Sequence, residues 1–299
     1  MSLFKRPLVA LSLTAPDAGL LRYAARVLPV EGCEEVRFVH VVADRHAAPV
    51  EAELQDIRAR LQSEVEAAFR TPAVRMVFDV VHGARLDQLL ALAVEHQSDV
   101  ILLGHRKSRS GLRSLARRLA MVAPCSVWLV PEGARDRLTR ILVPVDFSSH
   151  SADALGVATS LAAENGRREC LAVHVYFDPS TVRYDEHVDE VFGHEQAAFE
   201  TLLAATDCHG VRVEPVLEES TRVPEAILRV SQERSCDLIV MNTRGRSRSA
   251  AVLLGSVTSE TMAATTVPLL AVKHFGSRMT LMQALLNHRF WEEPSPKSN

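Results

Sequence analysis

Hydrophobic residues along this chain gather into short runs, separated by stretches in which they recur every three or four positions. In the second half the runs cover residues 141–145, 171–175, 211–216, 238–241 and 268–272. Apolar runs of this length, largely continuous apart from Arg212 and Glu214 in the third, predict parallel strands buried on both faces. Between the first two runs Leu155, Ala158, Leu161 and Ala162 recur at helical spacing, as Leu20, Leu21, Ala24, Ala25 and Leu28 do in the first half. Leu86, Leu89, Leu90, Ala93 and Val94 form the apolar stripe of a later first-half helix, ahead of a run that begins near Asp99. Ser148 and Thr14 stand where helix N-caps are expected.

The two halves share residues as well as order. Leu8-Val-Ala-Leu-Ser-Leu-Thr answers to Leu142-Val-Pro-Val-Asp-Phe-Ser, and Val39-His-Val-Val to Val173-His-Val-Tyr, both 134 positions apart. Asp99-Val-Ile-Leu-Leu-Gly-His-Arg answers to Asp237-Leu-Ile-Val-Met-Asn-Thr-Arg, 138 apart. A repeated β/α unit predicts an α/β protein with two doubly wound, open parallel sheets and helices on both faces of each. The expected division is a first domain over 1–134, a second over 135–275, and a C-terminal segment over 276–299.

Composition leaves this picture intact. The 299 residues, 47% hydrophobic and 24% charged, suffice for two ordinary globular domains. A net charge of −3 provides no overall basic field for sequence-independent nucleic-acid binding. The five cysteines are scattered without a C-x-x-C pair, so neither a disulfide framework nor a thiolate metal site is expected. No signal-peptide pattern and no apolar stretch of roughly 18 residues is evident, and the expected location is the cytoplasm.

In an open parallel sheet, ligands bind beyond the carboxyl ends of the strands. In the second half, two segments should meet there: Pro144-Val145-Asp146-Phe-Ser148, and the stretch from Met241-Asn242 through Arg244-Gly245-Arg246 to Gly255-Ser256-Val257-Thr258. The second has the layout of a phosphate cradle. Gly245 admits positive φ and close backbone approach, and Gly255-Ser256 opens a helix whose first N–H groups face an anion with the positive dipole end. Ser256 and Thr258 add hydroxyls, and Arg244, Arg246 and Arg248 add charge or reach into solvent. Asp146 could accept a hydrogen bond from an adenine amino group, or it could cap the following helix.

These residues carry a resemblance. From about residue 7 to 273 the chain resembles a tandem universal stress protein, whose signature G-x2-G-x9-G followed by Ser or Thr reads here Asn242-x2-Gly245-x9-Gly255-Ser256. The resemblance implies a Rossmann-like fold of the adenine nucleotide alpha hydrolase type. It also implies two five-stranded units paired through their last strands, near 127–130 and 269–272, as an intramolecular pseudo-dimer. It places the adenine of ATP near Asp146 and Val175, the ribose by Asn242, and the phosphates on Gly245, Arg246, Gly255, Ser256 and Val257. ADP or AMP could take the same place, and Mg2+ could accompany the phosphates. The departure is Asn242, where ATP-binding members have glycine. Asparagine tolerates left-handed backbone, so the loop can keep its shape, but its side chain could crowd the ribose.

The first half has lost most of this chemistry. Ser12 stands where Asp146 does, Lys107 where Gly245 does, and aligning Leu112-Arg113-Ser114-Leu115 with Leu254-Gly255-Ser256-Val257 shortens the loop by four residues. What remains is the basic stretch 105–113 followed by Arg117 and Arg118, read as a solvated loop, or else as a remodelled anion site or a contact for an acidic partner. The first half is therefore not expected to bind ATP.

Other clusters carry less. His187, Glu190 and His194 share a helical face, without a further ligand. His40 and His174, at equivalent strand positions, read as sheet-packing residues. The segment 277–291 has the pattern of an amphipathic helix, which packs back on the domain or docks another subunit or partner protein. No Walker loop or nucleophile elbow is present, so no enzymatic activity is expected. The resulting expectation is an ATP-binding regulatory module using the second domain, able to homodimerise. The rivals are a scaffold of the same fold that binds no nucleotide and a slow hydrolase or self-phosphorylating protein.

Overall fold

The computed structural model describes residues 3–28, 32–43, 50–69, 74–105, 114–177, 185–243 and 254–273. The C-terminal segment 276–299 and the basic loop 106–113 lie outside the described residues. The first half runs β1 (Leu8–Leu11), α1 (Asp17–Val27), β2 (Glu35–Val42), α2 (Glu51–Ala68), β3 (Arg75–His82), α3 (Arg85–Glu95), β4 (Val100–His105), α4 (Leu115–Val122), β5 (Ser126–Pro131). The second repeats it as β6 (Ile141–Pro144), α5 (Ser149–Glu164), β7 (Glu169–Tyr176), α6 (Asp185–Ala204), β8 (Arg212–Glu219), α7 (Val223–Glu233), β9 (Leu238–Asn242), α8 (Ser256–Ala264), β10 (Leu269–Val272).

The ten strands of the described residues form one sheet in the order β3-β2-β1-β4-β5-β10-β9-β6-β7-β8. Each half is parallel within itself, and the halves join by one antiparallel pair, with Leu269 opposite Leu129, Leu270 opposite Trp128 and Ala271 opposite Val127. The expected pairing through the last strands is thus what the chain adopts. Alternation along the strands sends Val9, Val143, Val240 and Leu270 to a core shared with α1, α2, α5 and α6. Leu8, Leu142, Ile239 and Leu269 go to the core beneath α3, α4, α7 and α8. Both cores run across the junction, because β5 and β10 leave no sheet edge between the halves.

Trp128 is fully buried at that junction, with the rings of Tyr23 and Phe4 centred 5.8 and 5.9 Å away. Lys273, just past β10, donates its ammonium to the carbonyls of Met121 and Ala123 at 2.9 and 2.7 Å. A cation at the C-terminal end of α4 complements the helix dipole. Equivalent aspartates secure each half at its first strand. Asp99 accepts the N–H groups of Lys5 and Arg6 ahead of β1. Asp237 accepts from Arg137, Arg140 and both the N–H and hydroxyl of Thr139 ahead of β6.

One expected cap is corrected. Ser148 caps α5 through its hydroxyl, which accepts the Ser151 N–H. Thr14 does not cap α1, which begins at Asp17 behind Pro16. The Asp17 carboxylate turns back to accept the Thr14 N–H at 3.2 Å, so the helix starts after that turn. The described cysteines are free, and burial pushes the Cys33 thiol up to about 11 and those of Cys170 and Cys236 up to about 12. Such thiols are unreactive at neutral pH. No helix among the described residues is long and apolar enough to cross a membrane.

Candidate functional site

The carboxyl ends of β7, β6 and β9 open beneath the start of α8, because β6 lies between the other two strands and α8 begins at the end of β9. A cavity of about 1020 Å³ occupies this place. Its walls include Pro144, Val145, Asp146, Val175, Met241, Asn242, Gly255, Ser256, Val257 and Thr258. All ten were singled out from the sequence for this site, whereas Arg244, Gly245, Arg246 and Arg248 lie outside the described residues.

Asp146 follows β6 and does not cap α5 itself but braces Ser148, the residue that does. Its Oδ1 accepts the Ser148 N–H at 3.1 Å, the Ser148 hydroxyl at 2.6 Å and the Ser151 hydroxyl at 2.5 Å. Ser151 Oγ in turn accepts the Asp146 N–H at 2.9 Å. Between them Phe147 adopts φ 61°, and Leu13, its counterpart 134 positions earlier, adopts φ 55°. Left-handed backbone at a bulky residue is strained. At Phe147 the strain is offset by packing, with its ring 4.3 Å from that of His174 and edge-on to Phe199 at 5.1 Å.

His174 belongs to the sheet, as expected, and so does His40. Nδ1 of His174 lies 2.8 Å from the Val145 carbonyl, and Nδ1 of His40 lies 3.0 Å from that of Leu11. A carbonyl only accepts, so Nδ1 carries the proton in both rings. Burial lowers the His40 pKa below its usual value. His174 also faces Glu195 across 3.4 Å, and both line the cavity.

Asn242 differs from the expectation in its backbone. It is the last residue of β9 and is absent from the positive-φ positions, so a left-handed conformation is not what the site requires there. Its side chain reaches across to donate to the His150 carbonyl in the first turn of α5 at 3.2 Å. Its own carbonyl accepts the Thr258 hydroxyl at 2.8 Å. Thr258, 4% exposed, therefore spends its proton on the strand. Gly255 is the N-cap of α8, without a capping side chain, and its N–H donates to the Thr243 carbonyl at 2.8 Å. Ser256, the first helical residue, is exposed to the cavity mouth.

Sequence reading missed several walls of the cavity. Tyr176 comes from β7, Phe177 directly follows it, Val223 and Ile227 come from α7 and Glu195 from α6, and nothing in their local pattern marks them as site residues. Arg117 comes from α4 of the other half, and its Nε donates to Ser259 at 2.6 Å. Only the pairing of the halves brings it there.

The first half forms a smaller cavity of about 360 Å³, lined by Ser12, Asp17, Gly104 and His105 among others. Its carboxylate is displaced rather than lost. Asp17 stands 134 positions before Ser151, as Ser12 does before Asp146, so the pair is exchanged between strand end and helix. Asp17 accepts the Ser12 N–H at 2.7 Å, the Ser12 hydroxyl at 3.1 Å and the Thr14 N–H. Gly104 occupies the place of Asn242, so the first half keeps the one signature glycine that the second has replaced. His194 is exposed on α6, whereas the side chains of His187 and Glu190 lie outside the described residues. Among the described residues, no three His, Cys, Asp or Glu side chains come together to hold a metal.

Comparison with known proteins accounts for the repeat. The universal stress protein family model matches residues 3–131 and again 138–273. The chain is 32% identical over 134 residues to the universal stress protein in the QAH/OAS sulfhydrylase 3′ region of Thermus aquaticus, covering 44% of this chain and 97% of that protein. Among solved structures, it is similar to a universal stress protein from Archaeoglobus fulgidus DSM 4304, at 19% identity and TM-score 0.63, over 90% of this chain and 96% of the other. A Pseudomonas aeruginosa UCBPP-PA14 protein is similar at 15% identity and TM-score 0.65, over 91% and 94%. At those identities the structural likeness speaks for the fold alone. With one family model matching twice in tandem, over both repeats of one α/β unit, the chain belongs to the universal stress protein family.

Proposed function

We propose that the second half binds an adenine nucleotide, ATP or in its place ADP or AMP, and acts as a regulatory module without turnover. The observation that supports this reading is that the end of β6, the end of β9 and the start of α8, together with Val175, line one cavity of about 1020 Å³. That volume is at the upper end of the ordinary range for small-molecule sites, about 300–1,000 Å³. The donor set fits the ligand. A carboxylate at one strand end suits an amino-bearing base, and apolar Val145, Val175 and Met241 suit its ring. The uncapped start of α8 with Ser256 suits phosphate. Mg2+ would arrive with the phosphates and keep several waters, as that ion usually does. Binding would shift the population that a partner protein reads.

The first half is proposed not to bind ATP, because its carboxylate is turned into the helix start and its cavity is about a third of the size. Asn242 favours a second reading, a scaffold of the same fold without nucleotide, since an 8% exposed amide stands where nucleotide-binding members have glycine. Denaturing the purified protein and identifying what it releases, followed by calorimetric titration with ATP, separates the two. One nucleotide per chain is expected. A protein that releases none and fails to bind added ATP would be the scaffold, and two per chain would overturn the proposed silence of the first half.

A further inference from the structure

The two halves are related by an internal two-fold axis whose position can be read from the register. Ile101 pairs with Val127 and its counterpart Ile239 with Leu269, so the last strands correspond at a separation of 142, which makes Leu270 the counterpart of Trp128. Trp128 and Leu270 also face each other across the junction. A residue that faces its own counterpart lies on the axis. Arg117 and Ser259 are separated by the same 142 positions and are in contact, so they form a second on-axis pair, between α4 and α8.

At such a place an identical residue would meet itself, and two guanidinium groups would repel. This chain has arginine on one side and a small hydroxyl on the other. The asymmetry gives Arg117 room to cross the axis. It lines the second-half cavity with Gly255, Ser256 and Val257, and it is not among the residues lining the first-half cavity. Its Nε is fixed at 2.6 Å from Ser259 Oγ, one turn into α8. Glu260, also on that wall, is the negative charge that a bound phosphate would have to tolerate.

We infer that Arg117 is a phosphate-binding residue of the second-half site, supplied by the half that does not itself bind nucleotide. The inference rests on the nucleotide reading above and adds a specificity to it: the ligand class is a nucleoside polyphosphate, and the discrimination falls on the phosphate chain. A planar guanidinium on the cavity wall suits two phosphate oxygens at once, which an ammonium cannot reproduce. It also gives the first half a role in the site through the axis.

The test is calorimetric titration of the full chain with ATP, AMP and adenosine, for wild type, Arg117→Met and Arg117→Lys. Arg117→Met is expected to weaken ATP by about tenfold or more, the usual size of a lost charge-assisted contact, and to leave adenosine within about twofold. Arg117→Lys should fall between wild type and Arg117→Met for ATP, and it supplies the comparison if Arg117→Met does not fold. ATP affinity unchanged in both variants, or adenosine weakened as much as ATP, overturns the inference while the site stands. A wild type that binds neither ATP nor adenosine overturns the nucleotide reading and this inference with it.

Discussion

Exchanging Asp146 and Ser151 tests whether the carboxylate serves the fold, the ligand or both. Asp146 Oδ1 receives three hydrogen bonds, at 3.1, 2.6 and 2.5 Å. Bonds to a charged group contribute about 1.5–3 kcal/mol each, but three that share one oxygen on a half-buried side chain do not add. Asp146→Ala should therefore destabilise by about 2–3 kcal/mol, or about 5–10 °C in melting temperature. The double variant Asp146→Ser with Ser151→Asp reproduces what the first half already has, where Asp17 satisfies Ser12 and Thr14. Ser151 and Asp17 are equally buried, at 6% and 5% exposure, so the carboxylate enters a setting the fold already tolerates. The double variant should melt within about 1 kcal/mol of wild type, yet bind ATP about tenfold more weakly or worse, since the carboxylate no longer meets the base. Scanning calorimetry and titration on the same samples read both quantities. A double variant no more stable than Asp146→Ala refutes the exchange, and one that binds ATP like wild type refutes the base contact.

Two further outcomes follow from the aspartates and the junction. Burial pushes the Asp237 carboxyl up, but hydrogen bonds from Thr139 and Arg137 together with the arginine's charge outweigh it, and the net pKa lies below the usual 3.8. Its contribution is present above that value and lost as pH falls below it; Asp237→Asn should cost about 2–3 kcal/mol at pH 7 and flatten the acid limb of a urea-midpoint against pH curve. At the counterpart Asp99, burial prevails over its backbone hydrogen bonds and raises the pKa above 3.8. The sign is opposite, with stability present below that value and lost as pH rises through the raised pKa, so Asp99→Asn should be neutral or stabilising at pH 7; equal losses in both variants would contradict this contrast. Trp128→Ala empties a fully buried site on the axis and should cost about 3–5 kcal/mol. Because the junction belongs to both halves, hydrogen exchange should rise in β1 and β6 alike, and a rise confined to one half would show that the halves are independent.

The repeat and the central strands were legible in the sequence, because a strand buried on both faces is largely apolar and a duplicated unit repeats its residues in order; β8, over the run expected at 211–216, is instead a part-buried edge strand carrying Arg212 and Glu214. Nine wall residues of the cavity were legible because strand ends and the turn before a helix have recognisable residues and converge in a sheet of this kind, and Val175 followed from the family resemblance. Their chemistry was less so. Ser12 in place of Asp146 reads as a lost carboxylate until Asp17 is seen to reach the same turn, because a hydrogen-bonded pair can exchange its members without leaving a trace at either position alone. Asn242 reads as a tolerated backbone substitution or as a side chain crowding the ribose until its amide is seen to hold the His150 carbonyl. Arg117 reads as part of a basic loop, because nothing along the chain says that residue 117 lies beside residue 259. That proximity exists only once β5 and β10 pair about Trp128 and Leu270. Local sequence determines which elements form and which face each one buries. The tertiary structure alone decides which half completes the other's cavity, because the two-fold axis is a property of the pairing and of no segment by itself.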